Sequence, residues 1–379
     1  MVKCVGVGLV TSNYSNSDEF TEVLIGKKKA RPLNALGGKV SKREELTDIP
    51  YKERSSYLLE SSIEQAMRSA SISNKVSSHR IGLVVGTSLG NIAMMEDCVS
   101  SNNFSQIQNA KLDTKLEQIA KKYHLMGPRL VISNTCISGI NAISVAMMWI
   151  EIGKVDACVV CGVDIASEFI VNGMDSNHLI SQMKEFQALK KDRDGLILSD
   201  GAGTIVLTSA DFKDDRHTYG NIIGWGIGND AKHLVAPDRY GQGMCKAIKD
   251  ALHWGNVEYK DIDVVLLGAN GSNYNDQMYG TVIRNLFEES QSRVSITSLK
   301  HFIGHTLGAS AIIETIGAFV LMEHQCLCAA VDEMEMDENF KDLNIVLGQQ
   351  EKVLNNALVL SNGFTGINGA LLLRSEVYE

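Results

Sequence analysis

The stretch RLVISNTCISGINAISVAMMWIEIGKVDACVVCGVD, residues 129–164, alternates strand, tight turn, amphipathic helix and strand. Ile137, Ile140, Ile143, Met147 and Ile150 recur near the helical period of 3.6, and ACVVCGV has the apolar, β-branched character of a buried strand. Strand, helix and strand in that order is the unit of a parallel sheet covered by helices. RVSITSLKHFIGHTLGASAIIETIGAFVLMEHQCLCAAV, residues 293–331, follows the same order with a longer loop before its helix, which sets QCLCAAV opposite DACVVCGVD.

The duplication extends outward from these two stretches. KCVGVGLVTS (3–12) is matched by NIIGWGIGND (221–230), and RIGLVVGTSLGN (80–91) by DVVLLGANGSN (263–273). GAGTIVLTS (201–209) and NGALLLRS (368–375) close the two copies. The chain is expected to divide into two similar α/β halves, 1–215 and 216–379. In such sheets chemistry gathers in loops at the carboxyl ends of strands, here the loops around Cys136, Asn270, His305 and Phe364.

Composition narrows the function. The 379 residues include 36 Lys plus Arg against 45 Asp plus Glu, a net charge of −9 without a long basic tract, which argues against a nucleic-acid partner. Hydrophobic residues at 44% and charged residues at 21% fit an ordinary globular chain. The uncharged run Leu130–Ile150 is long enough to span a bilayer, but its Ser133, Asn134, Thr135, Ser138, Gly139, Asn141 and Ser144 make it too polar for membrane insertion. The amino-terminal segment reads as a first strand and not as a secretory signal, so the eight Cys are expected to be reduced thiols in the cytoplasm.

Cys136 lies at the start of a helix, where the macrodipole and unpaired N–H groups favour thiolate, and Gly139 admits close approach by a backbone or a substrate. Position alone leaves a buried structural thiol open. Cys158 and Cys161 form a CxxC, but on a strand residues three apart face opposite sides, so they read as core, as do Cys326 and Cys328. No second CxxC or spaced His pair completes a metal set. His305 precedes a strongly apolar helix, and Lys300 and Glu314 are placed to hold its imidazole in a charged cluster. The glycines of SNGFTGING, around Phe364, offer backbone N–H groups for an oxyanion hole or, equally, a plain hairpin. The glycines at 224–228 miss the dinucleotide spacing, and there is no P-loop.

Taken together, these segments resemble the β-ketoacyl synthases, condensing enzymes of the thiolase fold, in their elongating branch. SNTCISGINAISVA (133–146) resembles the family's nucleophile turn, with Cys136 as the acyl-accepting thiol. DRDGLILSDGAGTIVL (192–207) resembles its RDGFVLGEGAG signature, with Asp200 where Glu is usual. SLKHFIGHTLGASAIIE (298–314) resembles the Lys…GHTxGAAG…Glu stretch and places Lys300, His305 and Glu314. SNGFTGIN (361–368) resembles the GFGGxN turn, with Phe364 gating the acyl pocket. The resemblance runs from Val2 to about Leu373 and implies a layered α-β-α-β-α architecture. One loop departs from the pattern. The family's HGTxT is LGANGSNYND (267–276) here, with Asn270 in the first histidine's place, Ser272 matching the first Thr, and a segment about two residues shorter that carries Tyr274. An Asn amide can donate a hydrogen bond but cannot carry a proton.

The resemblance implies attack by Cys136 on an acyl thioester carried on the phosphopantetheine of an acyl carrier protein, with no bound cofactor or metal. The oxyanion would lie between the backbone N–H groups of Cys136 and Phe364. Malonyl-carrier would then lose carbon dioxide with His305 and Asn270 on its thioester oxygen, and Lys300, Glu314 and Ser272 in support, giving a 3-oxoacyl carrier thioester for fatty-acid or polyketide-type biosynthesis. Two alternatives stand beside this: acyl transfer without decarboxylation, suggested by Asn270, and a chain-length-factor-like subunit paired with an active synthase. A homodimer is implied, or a heterodimer with a related ketosynthase. KKKAR (27–31) and KKDR (190–193) are candidate carrier-docking patches, each of which also reads as a solvated charge run.

Overall fold

The computed structural model describes all residues except 32, 34, 37–38, 41–43, 73–75, 213–216, 289–293, 332–334 and 377–379. Ten strands make one sheet: β1 (Val2–Thr11), β2 (Ile81–Gly86), β3 (Arg129–Ile132), β4 (Ala157–Asp164), β5 (Gly201–Ser209), β6 (Gly220–Asn229), β7 (Val264–Leu266), β8 (Ser295–Thr297), β9 (Asn356–Asn362) and β10 (Ile367–Arg374). Their order is β8-β7-β9-β10-β6-β1-β5-β4-β2-β3. Outward from β1 the neighbours are β5, β4, β2, β3, and outward from β6 they are β10, β9, β7, β8, so the two runs mirror one another. They join only where Val2, Lys3 and Cys4 pair with Ile222, Asn221 and Gly220. The expected boundary near 215 falls among residues 213–216, outside the described residues.

Two sequence expectations are corrected. The sheet is mixed and not parallel throughout. Parallel pairing is confined to β2 with β3 and β4, and to β7 with β8 and β9, while β1, β5, β6 and β10 pair antiparallel. At β9–β10 the cause is loop length, because a short turn at 363–366 can join only antiparallel strands. The counterpart of β4 is β9, not the segment around Cys326 and Cys328. Cys326–Leu327 instead pairs with Gln350–Glu351 in a separate short ladder, and Cys328 follows it. That segment is apolar because it is buried against the central core, and an apolar run alone does not separate a sheet strand from a buried connection.

The helices make the layers. α1 (Arg54–Ala70) covers the outer face of the first half, where Leu59, Ile63 and Ala66 pack on Val85, Val159 and Cys161. α2 (Ser138–Glu151) and α5 (Ser310–Glu323) fill the middle, with Ile140, Ile143, Ile312, Ile316 and Phe319 against Cys158, Val160, Leu207 and Leu371. α3 (Gln242–Gly255) and α4 (Asn273–Leu286) cover the second half through Ile248, Ala251, Val282 and Ile283 on Val265, Leu358 and Leu372. The result is the layered α-β-α-β-α arrangement. β4 alternates strictly between two cores, which puts Cys158 and Cys161 on opposite faces, both buried as expected. Residues 310–322 of α5 are buried without interruption, the pattern of a helix enclosed by protein on all sides. No helix among the described residues is long and apolar enough to cross a membrane.

Candidate active site

The close packing of α2 on the segment leading into α5 brings the loops together. A Cβ on Gly139 would lie 3.2 Å from the Gly308 carbonyl and 3.0 Å from Ile312, so the glycine lets the two helix starts touch. Cys136 stands two residues before α2, 8% exposed. Its turn is tied from below: the Thr135 carbonyl accepts from Ser88 Oγ at 2.9 Å and from Ser138 Oγ at 2.6 Å, and Ser138 Oγ accepts the Asn134 N–H at 2.9 Å.

The electrostatics correct one expectation. Burial pushes the Cys136 thiol up to about 12, opposed by the Lys300 ammonium, while Asp164 and Glu314 add to the rise. A helix start favours thiolate, but here desolvation outweighs it, and the resting group at neutral pH is the protonated thiol.

His305 is buried, and its backbone is clamped on both sides: its N–H donates to Ile197 O at 2.8 Å and its carbonyl accepts from Ser199 N–H at 3.0 Å. The imidazole is not held by a charged cluster. Its Nδ1 accepts the Leu307 N–H at 3.0 Å, while Lys300 and Glu314 form a buried ion pair with each other. Burial, with Lys300 nearby, drives His305 down to about 3, so the ring is neutral. A neutral ring whose Nδ1 accepts carries its proton on Nε2 and presents a donor there. Burial also raises the Glu314 carboxyl, with Lys300 opposing.

The Asn270 loop is linked to His305 through the segment 195–199. Gly195 N–H donates to Gly271 O at 3.1 Å, and two residues further Ile197 holds His305. Ser272 is the residue before α4, with no side-chain cap bond to the helix, and its N–H donates to Asn270 Oδ1 at 3.0 Å. That bond sets the amide orientation and leaves the NH2 as the donating end.

Phe364 sits in the β9–β10 turn among Ala166, Met174, Ile180, Leu198 and Leu307. The turn is a hairpin and it also reaches the nucleophile. A Cβ on Gly363 would stand 1.9 Å from Thr135 Oγ1 and 3.2 Å from Cys136 N. Gly363→Ala is therefore expected to displace the Cys136 turn, and with it Cys136 acylation should fall about 10²-fold, as misplacement by roughly an ångström does. Acyl-enzyme formation followed by intact mass checks this, and an unchanged rate would refute the close approach.

Four left-handed residues neighbour the four candidate groups: Thr135 (φ 50) before Cys136, Gly271 (φ 87) after Asn270, Leu307 (φ 52) two beyond His305, and Thr365 (φ 67) after Phe364. Three are not glycine, and two are β-branched, a conformation that costs energy and concentrates at functional sites.

Two buried carboxylates escaped the sequence reading. Asp276 accepts the N–H groups of Asn270 (3.0 Å), Gly271 (3.3 Å) and Leu189 (2.9 Å) and faces Arg193 at 3.8 Å. Asp164 binds the loop after β2 and the Gly308 N–H. A single Asp ending an apolar strand was the available signal. The KKDR segment divides: Arg193 is buried and paired with Asp337 at 2.5 Å and Lys190 pairs with Glu335 at 2.6 Å, while Lys191 and Asp192 are exposed, so the solvated reading holds only for the middle two. In KKKAR, Lys28 and Arg31 pair with Glu19 at the surface. Among the described residues no group of His, Cys, Asp and Glu is arranged to hold a metal ion.

The sequence matches the Beta-ketoacyl synthase N-terminal domain over residues 28–212 and the Beta-ketoacyl synthase C-terminal domain over residues 219–332. A curated relative, 3-oxoacyl-[acyl-carrier-protein] synthase 2 of Rhizobium meliloti (strain 1021), is 29% identical over 270 residues, 68% of this chain and 63% of that protein. The match thus spans just under two thirds of that relative's length. Among solved structures, a type II PKS acyl-carrier protein in complex with its ketosynthase bound to the hexaketide aligns at TM-score 0.90 and 21% identity, covering 99% of this chain and 98% of that one. A ketosynthase in complex with its chain length factor from Xenorhabdus doucetiae aligns at TM-score 0.83 and 23% identity, covering 99% and 98%.

Proposed function

Because this chain belongs to the β-ketoacyl synthase family, we propose that it is a condensing acyltransferase that joins an acyl group held on Cys136 to malonyl-carrier. The N-terminal half, 1–215, supplies the nucleophile, and the C-terminal half, 216–379, supplies Asn270, His305 and Phe364. The mirrored strand order supports that division.

The first stage is acyl transfer. Cys136 Sγ bonds to the thioester carbonyl carbon, and the oxyanion is received by the backbone N–H groups of Cys136 and Phe364. Collapse breaks the bond to the pantetheine sulfur, which leaves with the thiol proton. Lys300 acts here on charge: it is the cation that lowers the cost of ionising a thiol otherwise held protonated by burial. Phe364 closes the apolar cluster over the acyl chain.

In the second stage, His305 Nε2–H and the Asn270 NH2 donate to the malonyl thioester oxygen. Carbon dioxide departs, the enolate forms under those two donors, and its carbon attacks the acyl-Cys136 carbonyl, releasing a 3-oxoacyl carrier thioester and the Cys136 thiolate, which takes one proton from solvent to regenerate the thiol. The observation that carries this reading is the Asn270 amide. With Oδ1 occupied by the Ser272 N–H, it offers a hydrogen where the family's first His offers one. Neither donor has to give up its proton.

Asn270→His is accordingly expected to leave carbon dioxide release equal or faster. Labelled malonyl-carrier with acyl-carrier, followed by gas release and intact carrier mass, checks this; a large fall in rate would count against the shared donor role. A second reading, transfer without decarboxylation, is favoured by Asn270 itself, and release of carbon dioxide in step with acyl consumption excludes it.

The partners in this reading are an acyl carrier protein and a second subunit. The subunit is a copy of this chain or a related ketosynthase, in keeping with the neighbour solved with its chain length factor. The enzyme is placed in the cytoplasm with its thiols reduced, and its substrates bring their own phosphopantetheine arm.

A further inference from the structure

Asp164 ends β4, a strand otherwise made of small and apolar residues, and it is fully buried. Its carboxylate accepts four hydrogen bonds. Oδ1 receives Thr87 Oγ1 at 2.7 Å and the Leu89 N–H at 3.1 Å, and Oδ2 receives the Ser88 N–H and the Gly308 N–H, each at 2.7 Å. Three of these donors lie on the loop after β2. The fourth lies three residues beyond His305, in the other half of the chain.

The 87–89 loop in turn holds the nucleophile turn. Ser88 Oγ donates to Thr135 O at 2.9 Å, and Thr87 O lies 3.1 Å from Ser138 Oγ, sharing the hydrogen that this hydroxyl gives chiefly to Thr135 O. One carboxylate therefore reaches the peptide before Cys136 on one side and the turn carrying His305 on the other. The space is full, since a Cβ on Gly308 would lie 2.7 Å from Asp164 Oδ2.

On the basis of the function proposed above, we propose that the Asp164 carboxylate is a positioning residue that sets the separation between Cys136 and His305. The ionised form does this best. Three of its four partners are backbone N–H groups that can only donate, and they bind a carboxylate more strongly than a neutral acid, whose proton could be taken only by Thr87 Oγ1 at the loss of the bond that the hydroxyl now donates.

Burial raises the Asp164 carboxyl to about 6, against the hydrogen bonds that favour its charge. The other titratable groups around it are Cys136, with Lys300 and Glu314 acting on the same thiol, His305 on the Gly308 turn, and Asp200, which pairs with Arg54 beside β5. His305 is driven to about 3 and Cys136 to about 12, so neither changes charge near pH 6.

The test compares wild type, Thr87→Val, Thr87→Ser and Asp164→Asn between pH 5 and 8. It measures kcat for condensation, KM for both carriers, and the Ser88 and Gly308 amide shifts by NMR, which need no substrate. Wild type should lose kcat below about pH 6 with KM flat, and both amides should titrate together at the same midpoint. Thr87→Val removes a bond that favours the carboxylate and should move the midpoint up by roughly 1–2 pH units, while Thr87→Ser keeps the hydroxyl and should match wild type. Asp164→Asn should lower kcat and flatten its acid limb. An active enzyme with flat amide shifts, or a limb indifferent to Thr87→Val, overturns the coupling. Amides that titrate together near pH 6 in a protein that condenses nothing would refute the condensing reading and leave the coupling standing.

Discussion

Cys136→Ala is expected to yield no acyl-enzyme and no detectable 3-oxoacyl product, while carbon dioxide release from malonyl-carrier persists. The separation follows from the two stages. In the proposed reaction the thiol supplies the covalent bond that stores the acyl group, whereas decarboxylation would rest on His305 and Asn270, which the substitution leaves in place. The fold should tolerate the change, because a Cys that is 8% exposed behaves as a small apolar residue and Ala nearly fills its place. Intact protein mass, carrier mass and labelled carbon dioxide, measured on one preparation, give all three readouts. Elongation that persisted in the variant would end the proposal that Cys136 carries the acyl group.

Lys300→Met is expected to be the most destabilising change in the site. Lys300 and Glu314 are both buried, and each is the other's ion-pair partner. Removing one partner of such a pair costs about 3–5 kcal/mol, because the other charge is left uncompensated in a medium of low dielectric. Glu314, already raised by burial and held down only by Lys300, would take up a proton. Glu314→Gln in the same chain should recover most of the loss, since a neutral pair of similar volume leaves no stranded charge. Denaturant midpoints for the two singles and the double close the cycle. Activity should not recover with stability, because the double variant still lacks the cation that offsets the rise of the Cys136 thiol. A midpoint unmoved by Lys300→Met would show that the pair is not holding this layer together.

The sequence and the structure agree most closely where side-chain period and burial coincide. The alternation of β4 and the apolar stripe of α2 are visible in 129–164, and the CxxC thiols fall on opposite faces as the strand period requires. Agreement fails where burial and pairing part company. QCLCAAV is as apolar as a sheet strand, yet it lies against the central core without joining the sheet, and ALVLS, thirty residues on, takes the position beside β7. The candidate groups Cys136, Asn270, His305 and Phe364 were legible as motifs. What the motifs did not show is how each is held: a backbone N–H on His305 instead of a charge, a Ser272 N–H on Asn270, and buried carboxylates at Asp164 and Asp276. The bonds on His305 and Asn270 are local turn contacts, and the Asp164–Gly308 bond joins residues 144 apart; neither kind leaves a periodic trace.

The left-handed backbone at Thr135, Leu307 and Thr365 has a consequence for how the enzyme wears out. Each such residue sits about 1–3 kcal/mol above its relaxed conformation, held there by surroundings that over-determine it. On warming, those three turns can slacken before any layer separates, because the strain released there offsets part of the cost of loosening the contacts around them, while separation of the layers has no such offset. Half-lives of activity should therefore be shorter than half-lives of the fold at the same temperature, with far-ultraviolet circular dichroism unchanged while turnover decays. Cooling before the layers part should restore the turns, and with them the catalyst.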